Sequence, residues 1–409
     1  MRLFRCLLWP LLAILSAMSV YARSGKMTTI EYRLENGEYF AYIHGKDRLV
    51  PLCPESSLDS LPIDHRLYDP GHARRAFDLL LAPVSDFIRP GGTVCFVPAG
   101  RIHFINMAAL MAQDGKRSCE KYRFVRISDP ARLPDDRKNY LDHCELILFG
   151  GMDYHADPID MRDQAWWCHV DDFRALYLDS PGWDLEDISF GLAEDGTRVG
   201  FSKLAASRDE IKFIYNLKKY RTLVHSGPKA LEELFRAETR RSHDYAMHVS
   251  THTFTVTPKD SSVARHFSAR QRAYKSCGLL FSGAGHTFDG ERMPYGLNDG
   301  LLYAEEIAGL DMSHCRLLVL GACNTALGSV SQDGVTGLQS AFKEAGVETI
   351  LMTLWSINDQ ATAEFMKRFY TYLQAGKTKH ESLDRARADL MRSDDFSEPF
   401  YWAPFIMLD

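Results

Sequence analysis

Residues 315–325 read Cys315-Arg-Leu-Leu-Val-Leu-Gly-Ala-Cys323-Asn-Thr325, an apolar run that ends abruptly in small residues and a cysteine. Such a run is typical of a strand that is buried on both faces of a parallel sheet. Cys323 would then stand at the carboxyl end of the strand, where ligands bind in open α/β sheets. Because a free cysteine is more often a small core residue, the run alone leaves both interpretations open.

A second stretch, Met247-His-Val-Ser-Thr-His252-Thr253-Phe254, begins apolar and is rich in β-branched residues. This composition predicts another short strand that ends at Thr251 or His252. A cysteine nucleophile needs a neighbour that accepts its proton, and that neighbour is close in space rather than in sequence. His252 and Cys323 meet this requirement as a pair.

The residues around this pair resemble the motifs of CHAT-domain proteins, a caspase-like family related to separase and gingipain. His248-Val-Ser-Thr-His252 resembles the family's His-x-Ala-Thr-His-Gly, and Gly321-Ala-Cys323-Asn-Thr325 resembles its Ser-Ala-Cys-Glu-Thr-Gly. The resemblance covers roughly residues 67–409. It continues in the family's order through residues 97–103, 209–211, 333–338, 354–359 and 401–405.

This resemblance implies an α/β fold of the caspase-like kind, a mostly parallel sheet sandwiched by helices. Residues 67–235 would form a degenerate caspase-like half and residues 236–409 the catalytic half. Ahead of them, the sequence predicts a signal peptide over residues 1–22 and a small β extension with a connector over residues 23–66.

The same resemblance implies a cysteine endopeptidase. Cys323 as a thiolate would attack a peptide carbonyl, and His252 would stabilise the thiolate and protonate the leaving amine. The backbone N–H groups of Cys323 and Thr253 would hold the oxyanion. The family has glycine where this chain has Thr253, and a β-branched residue disfavours positive φ. An inactive module of the same fold that binds peptides or proteins is therefore the second hypothesis.

Substrate preference is suggested by residues 355–359. Asp359 matches the family's aspartate at the base of a pocket for a basic residue, so the resemblance implies cleavage after Arg or Lys. Trp355 could form a wall of that pocket. The alternatives stay open, because an aspartate in the first turn of a helix is favoured by the helix dipole, and a tryptophan in a strand is more often core.

Composition limits the range of partners. The chain has 409 residues, 45% hydrophobic and 25% charged, with a net charge of −6, as expected for a soluble globular protein. Nucleic-acid binding needs clustered Lys and Arg, and the one such cluster noticed is Lys218-Lys219-Tyr220-Arg221. The expected partners are a polypeptide substrate and a possible regulatory protein from another chain; no nucleic acid and no cofactor are expected.

The amino-terminal residues have the three parts of a secretory signal peptide. Residues 1–5, which contain Arg2 and Arg5, precede mostly apolar residues 6–20, and Val20 and Ala22 are small enough for a cleavage site. We therefore expect a periplasmic or secreted protein with no stable membrane span after cleavage. The alternative is a membrane anchor formed by residues 6–20, although that run is short for a bilayer.

The cysteines predict neither a disulfide framework nor a metal site. Eight remain after residue 22, several of them inside apolar runs, and no two have zinc-binding spacing. An exported enzyme of this kind would still have to keep Cys323 reduced.

Periodicity predicts the remaining elements. Asn36-Gly37 between alternating apolar residues indicates a hairpin, and Gly346 and Gly376 are placed to end helices. Strands are predicted at 93–97, 122–127 and 145–149 in a first sheet, and at 246–251, 277–281, 317–321 and 349–354 in a second, parallel one. Helices are predicted at 74–87, 105–113, 206–220 and 228–241.

Overall fold

The structure is a computed structural model. It describes residues 27–132, 134–165, 204–255, 268–294, 296–321, 328–331, 334–357 and 359–409. The chain divides into two compact units, one formed by residues 1–135 with 408–409 and the other by residues 136–407. The predicted signal peptide, residues 1–22, lies outside the described residues.

The first unit begins with a three-stranded antiparallel meander of β1 (Met27–Glu35), β2 (Glu38–Ile43) and β3 (Arg48–Pro54). Asn36 and Gly37 join β1 to β2 with φ values of 53° and 78°. Positive φ at both turn residues is the mark of a type I′ hairpin, whose twist matches that of the strands. The predicted hairpin is therefore confirmed.

The rest of this unit adds two short helices and two strands to the meander. They are α1 (Glu55–Asp59), α2 (Pro70–Leu80), β4 (Thr93–Val97) and β5 (Arg123–Arg126). Strand β4 pairs in parallel with both β1 and β5. The α-helix predicted at 74–87 ends early, because a 3-10 turn follows at Ala82–Phe87. Pro83 lacks an N–H and cannot continue the helix.

The helix predicted at 105–113 is wrong. The structure has only a 3-10 turn at Met107–Ala109. The backbone groups of this segment bond elsewhere: the Asn106 N–H donates to the Tyr68 hydroxyl at 2.8 Å, and the Ala109 carbonyl accepts from Arg117 at 2.9 Å. Tertiary partners thus replace the bonds that a helix would have made within itself.

The second unit contains most of the regular structure. Its described helices are α3 (Pro158–Ala165), α4 (Ala205–Asn216), α5 (Glu232–Thr239), α6 (Ala269–Lys275), α7 (Ala284–Phe288), α8 (Ala304–Ala308), α9 (Leu338–Glu344), α10 (Asp359–Gln374), α11 (Lys379–Met391) and α12 (Pro399–Trp402). Its described strands are β6 (Glu145–Met152), β7 (Thr222–Gly227), β8 (Tyr245–Ser250), β9 (Thr253–Thr255), β10 (Cys277–Leu280), β11 (Leu301–Tyr303), β12 (Cys315–Leu320), β13 (Gly328–Ser331), β14 (Gly334–Gly337), β15 (Ile350–Thr353) and β16 (Phe405–Leu408).

A parallel sheet in the order β15-β12-β8-β6-β7 forms the centre of this unit. Every residue of β8 is buried, and so is nearly all of β12, because helices cover both faces. The mostly parallel α/β class predicted from the sequence is confirmed. The sequence predicts strand 145–149 in the first sheet, but β6 lies between β8 and β7. An apolar pattern identifies a strand but does not identify its neighbours.

Strand β10 does not belong to the parallel sheet, so that part of the prediction is wrong. It pairs antiparallel with β9 and β11 in a separate three-stranded sheet. Gly278 allows this packing, since a Cβ there would stand 2.5 Å from the Phe254 ring and 2.4 Å from the Leu302 carbonyl oxygen.

The helix ends and helix faces follow the sequence closely. Gly346 and Gly376 have φ values of +100° and +78°, as a left-handed residue after a helix requires. The buried face of α10 includes Phe365, Phe369 and Leu373, which recur at helical spacing. Within the described part of the chain, no helix combines the length and apolar character needed to cross a bilayer.

Candidate functional site

A narrow cleft opens where three strands of the parallel sheet end. Ser250 closes β8, Gly321 follows β12, and Thr353 closes β15. Helices α4 and α10 supply the other sides. The lining residues are Leu204, Ser207, Glu210, Ser250, Gly321, Thr353, Ile357, Asp359 and Thr362. The carboxyl end of a parallel sheet is where the sequence placed the site, and the cleft is at that edge.

His252 lies two residues beyond β8 and is half-buried. Its backbone is held from two sides. The His252 N–H donates to the Tyr154 hydroxyl at 3.3 Å, and its carbonyl accepts from the Leu280 N–H at 3.0 Å. The ring centroids of His252 and Tyr154 are 5.4 Å apart, tilted by 37°. The histidine is therefore positioned by the turn after β6 and by β10.

Tyr154 is 1% exposed, and its hydroxyl also lies 3.1 Å from the Thr251 Oγ1. Replacing Tyr154 by phenylalanine removes both contacts but keeps the ring. We expect the free energy of unfolding to fall by about 1–2 kcal/mol, as for a lost buried hydrogen bond, and amide exchange at His252 to accelerate.

Urea denaturation and amide hydrogen exchange would measure the two effects. Tyr215→Phe is the matched control, because Tyr215 on α4 is 47% exposed. Unchanged exchange at His252 in Tyr154→Phe would show that this tyrosine does not hold the histidine.

Cys323, the predicted nucleophile, lies outside the described residues. Gly321, two positions before it, lines the cleft. A Cβ at position 321 would stand 3.2 Å from the Glu210 Oε1 and 3.4 Å from the Ser250 side chain. A small residue at this point lets the end of β12 and helix α4 approach each other.

Thr253, the predicted second oxyanion donor, begins strand β9. Among described residues other than glycine, those with positive φ are Asn36, Asp47, Asn139 and Lys218. Thr253 is therefore extended, and the expectation that its β-branch conflicts with a positive φ does not apply. The Leu280 N–H donates to the His252 carbonyl, so these two residues form a hydrogen-bonded pair. Hydrogen-bonded and non-hydrogen-bonded pairs alternate along an antiparallel ladder, so the next pair, Leu279 and Thr253, is not hydrogen-bonded. This register directs the Thr253 N–H away from β10.

Asp359 is the first residue of α10, and it lines the cleft half-buried. Burial raises the pKa of the Asp359 carboxyl; the charge of His252 opposes the shift, and the Glu210 carboxylate adds to it. The pKa of Asp359 thus depends on the charges of both His252 and Glu210. Of these two predicted site residues, Asp359 lines the cleft and His252 acts on its pKa through charge.

Trp355 has a different position from the one expected. It is 7% exposed, and its Nε1 donates to the Phe400 carbonyl at 3.0 Å. The residues of segment 355–359 that line the cleft are Ile357 and Asp359. The tryptophan packs in the core, as the alternative interpretation had it.

Glu210 is the cleft residue to which sequence reasoning gave no role. It lies on α4, is 1% exposed, and its Oε1 is 2.6 Å from the Nε2 of the fully buried His248. The other ring nitrogen of His248 lies 3.2 Å from the Tyr370 hydroxyl. Its helical spacing could have identified it. The buried face of α4 consists of Ser207, Glu210, Ile211 and Ile214, and a carboxylate is unusual on such a face.

Comparison with known proteins identifies the family. The family model of the CHAT domain matches residues 71–408. The chain therefore belongs to the CHAT domain family.

Tetratricopeptide repeat protein 28 of Mus musculus is 34% identical to the chain over 112 residues, and that of Homo sapiens is 32% identical over 112 residues. Each match covers 27% of this chain and 4% of the relative, so the chain spans a small fraction of these proteins.

Among solved structures, the Arg specific cysteine proteinase gingipain R matches with a TM-score of 0.38 and 7% identity, over 83% of this chain and 66% of gingipain. A complex of the pro- and mature domains of RgpB from Porphyromonas gingivalis matches with a TM-score of 0.35 and 6% identity, over 87% and 70%. Scores this low say nothing about the chemistry of the site.

Proposed function

We propose that this chain is a cysteine endopeptidase that cleaves after arginine or lysine, with Cys323 as nucleophile and His252 as its proton partner. The observation that carries the proposal is the cleft at the carboxyl end of the parallel sheet, which Asp359 and Gly321 line, together with the electrostatic effect of His252 on Asp359. Gly321 lines that cleft, and two residues of chain span at most about 7 Å. Cys323 is two positions further along the chain than Gly321.

The chemistry is acyl transfer in two steps. The Cys323 thiolate attacks the peptide carbonyl carbon, the C–N bond breaks, and His252 gives a proton to the leaving amine. Water then hydrolyses the thioester, with His252 accepting the proton from that water. The backbone N–H of Thr253 is directed away from β10 by its register, which is consistent with a donor to the oxyanion.

The other described thiols are poor competitors for an electrophile. Burial raises the pKa of Cys53 and Cys144 to about 11 and that of Cys277 to about 12, and it raises the pKa of Cys315 further. The thiolate is the reactive form, so these residues hold a very small reactive fraction at neutral pH. Cys119 is the half-buried exception.

A covalent label tests the proposal. A peptidyl chloromethyl ketone with arginine before the reactive carbon should modify Cys323, located by mass spectrometry of tryptic peptides. Labelling should be at least about tenfold faster than with a leucine analogue, because Asp359 attracts the guanidinium. Free arginyl peptide should slow the reaction by competition.

Cys119→Ala is the control for non-specific alkylation, because Cys119 is the described thiol with the most access. Labelling of Cys323 should be unchanged in that variant. Failure to label Cys323 in folded protein, or equal labelling with both reagents, would instead support a CHAT-fold module that binds polypeptides without cleaving them.

A further inference from the structure

The outer side of strand β7 is a free sheet edge. Among the described strands, β7 stands last in the order of the sheet and pairs only with β6, in parallel. The Leu146 N–H donates to the Arg221 carbonyl at 2.8 Å. Alternate residues of a strand bond to the same neighbour, so the N–H and C=O groups of Thr222 and Val224 are directed outward, away from β6. Such unpaired backbone groups are a template for a further strand.

A groove of about 750 Å³ lies along this edge, between β7 and helix α4. Its apolar lining includes Val224 of the strand and Ile211 and Tyr215 of the helix. Val224 is 39% exposed and Tyr215 is 47% exposed. The opposite face of β7 is covered, because His225 stacks on Phe149 with ring centroids 4.6 Å apart. The α4 face therefore has both room and apolar surface for the side chains of an added strand.

Two cations on α4 border the groove. Arg208 and Lys212 lie one turn apart on the helix, line the groove and are exposed. Within the described part of the chain, neither side chain takes part in an ion pair or a hydrogen bond. Asp209 is the one acid among the described lining residues, and the chain as a whole has a net charge of −6. The groove thus carries an excess of positive charge on an acidic protein, which favours an acidic ligand.

A protein segment fits this surface better than a nucleic acid does. The basic segment 218–221 leads into β7, but Lys219 and Arg221 already pair with carboxylates, at 3.1 Å and 2.9 Å. Tyr215 is the one aromatic side chain among the described lining residues, whereas single-stranded nucleic acids bind on several stacking aromatics. Unpaired strand backbone, by contrast, is a feature that another strand recognises.

We propose that the free edge of β7 binds an extended acidic segment of another protein, which joins the sheet as a further strand. The backbone of that segment would bond to Thr222 and Val224. Its side chains on the α4 face would be apolar where they meet Tyr215 and acidic where they meet Arg208 and Lys212. Among the residues described, the groove and the cleft at the carboxyl end of the sheet have no lining residue in common. The inference therefore does not depend on the proposed peptidase.

Fluorescence polarisation with a defined peptide tests the proposal. The probe is a fluorescein-labelled peptide amide of about eight residues, long enough to span β7, with threonine at every second position and valine and glutamate alternating between the threonines. It is titrated with the full chain carrying Cys323→Ala, so that no peptide is cleaved. We expect a dissociation constant on the order of 10–100 µM that rises with salt. Replacing glutamate by lysine in the peptide should weaken binding at least about tenfold.

Methylated peptides test whether the peptide backbone carries the binding. In an added strand, alternate residues bond to the neighbouring edge and the others point away from it. One analogue is N-methylated at the threonines, and the other at the valines and glutamates. One of them should bind at least about tenfold more weakly than the parent peptide, and the other within about threefold of it. Either loss supports the proposal and reports the direction of the added strand, whereas equal affinities of the two analogues would overturn it.

Variants of the chain locate the peptide on β7. Val224→Pro removes an outward N–H, which an edge strand tolerates, and should weaken binding at least about tenfold. Val224→Thr is the matched control, because it keeps that N–H and a β-branched side chain, and it should bind within about threefold of the parent. Thermal melting checks that both variants fold. If Val224→Pro does not fold, the methylated peptides decide.

Charge reversal tests the two cations of the groove. The double variant Arg208→Glu, Lys212→Glu should bind the glutamate peptide at least about tenfold more weakly than the parent chain does. Arg392→Glu is the control, since Arg392 is an exposed cation that does not line the groove, and its binding should equal that of the parent. Unchanged binding in the double variant would contradict the proposed recognition of acidic side chains.

Other occupants of the edge would give different results, and each of these would overturn the proposal. If sedimentation velocity shows a dimer that Val224→Pro dissociates, and the peptide does not bind, the edge belongs to a second copy of this chain. If an oligouridine of about eight nucleotides binds more tightly than the peptide, and Val224→Pro keeps that binding, the cations of the groove serve a nucleic acid.

Discussion

Replacement of Cys323 by alanine is expected to slow the hydrolysis of arginyl peptides at least about a thousandfold, because no other group can form the acyl-enzyme. His252→Ala should cost a similar factor, since the thiolate loses its partner and the leaving amine loses its proton donor. The double variant should be no slower than either single variant, because groups that act as one unit in one step are not additive.

The measurement is kcat/KM for a fluorogenic arginyl peptide with the wild type, the two single variants and the double variant, all in reductant. Cys119→Ala should retain full activity and controls for general loss of a thiol. Retention of more than about a tenth of the rate in Cys323→Ala would exclude this residue as the nucleophile. Additive losses in the double variant would mean that His252 acts in another step.

Sequence reasoning predicted the element ends at which His252 and Asp359 lie. His252 follows a short buried strand, and Asp359 opens a helix with a clear inward face. Both positions depend on local periodicity, which the sequence carries directly. The carboxyl ends of parallel strands then meet without further information.

The residues that sequence reasoning misplaced depend on contacts between distant segments. Trp355 is drawn into the core by the Phe400 carbonyl, and β10 pairs with β9 because Gly278 leaves room for the Phe254 ring. Glu210 enters the cleft only because Ser207 anchors α4 to β6 and β8. No local pattern encodes such partners, so they emerge only from the assembled fold.

Asp359→Asn is expected to lower kcat/KM for arginyl and lysyl peptides about a hundredfold or more, because a charge-assisted contact in a half-buried cleft is replaced by a neutral amide. A leucyl peptide should lose little. The ratio of arginyl to leucyl hydrolysis, measured for wild type and variant, isolates specificity from any general loss of activity. Glu364→Gln is the control on the same helix. The Glu364 carboxylate accepts from Arg368 at 2.7 Å, and neither residue lines the cleft.

The pH dependence of that ratio gives a second, independent signature. Burial raises the pKa of Asp359 above its ordinary value of 3.8, and only the ionised carboxylate attracts a cation. As the pH falls, the wild-type preference for arginine should therefore decline at a higher pH than an ordinary aspartate would give, and the Asp359→Asn variant should show no such decline.

The raised pKa also means that the folded state binds the Asp359 proton more tightly than the unfolded chain does. The free energy of unfolding should therefore fall as the pH rises from 3.8 through the folded-state pKa of Asp359. The variant should then melt no lower than wild type at neutral pH. A lowered melting temperature together with equal losses on all peptides would assign Asp359 to the helix end alone.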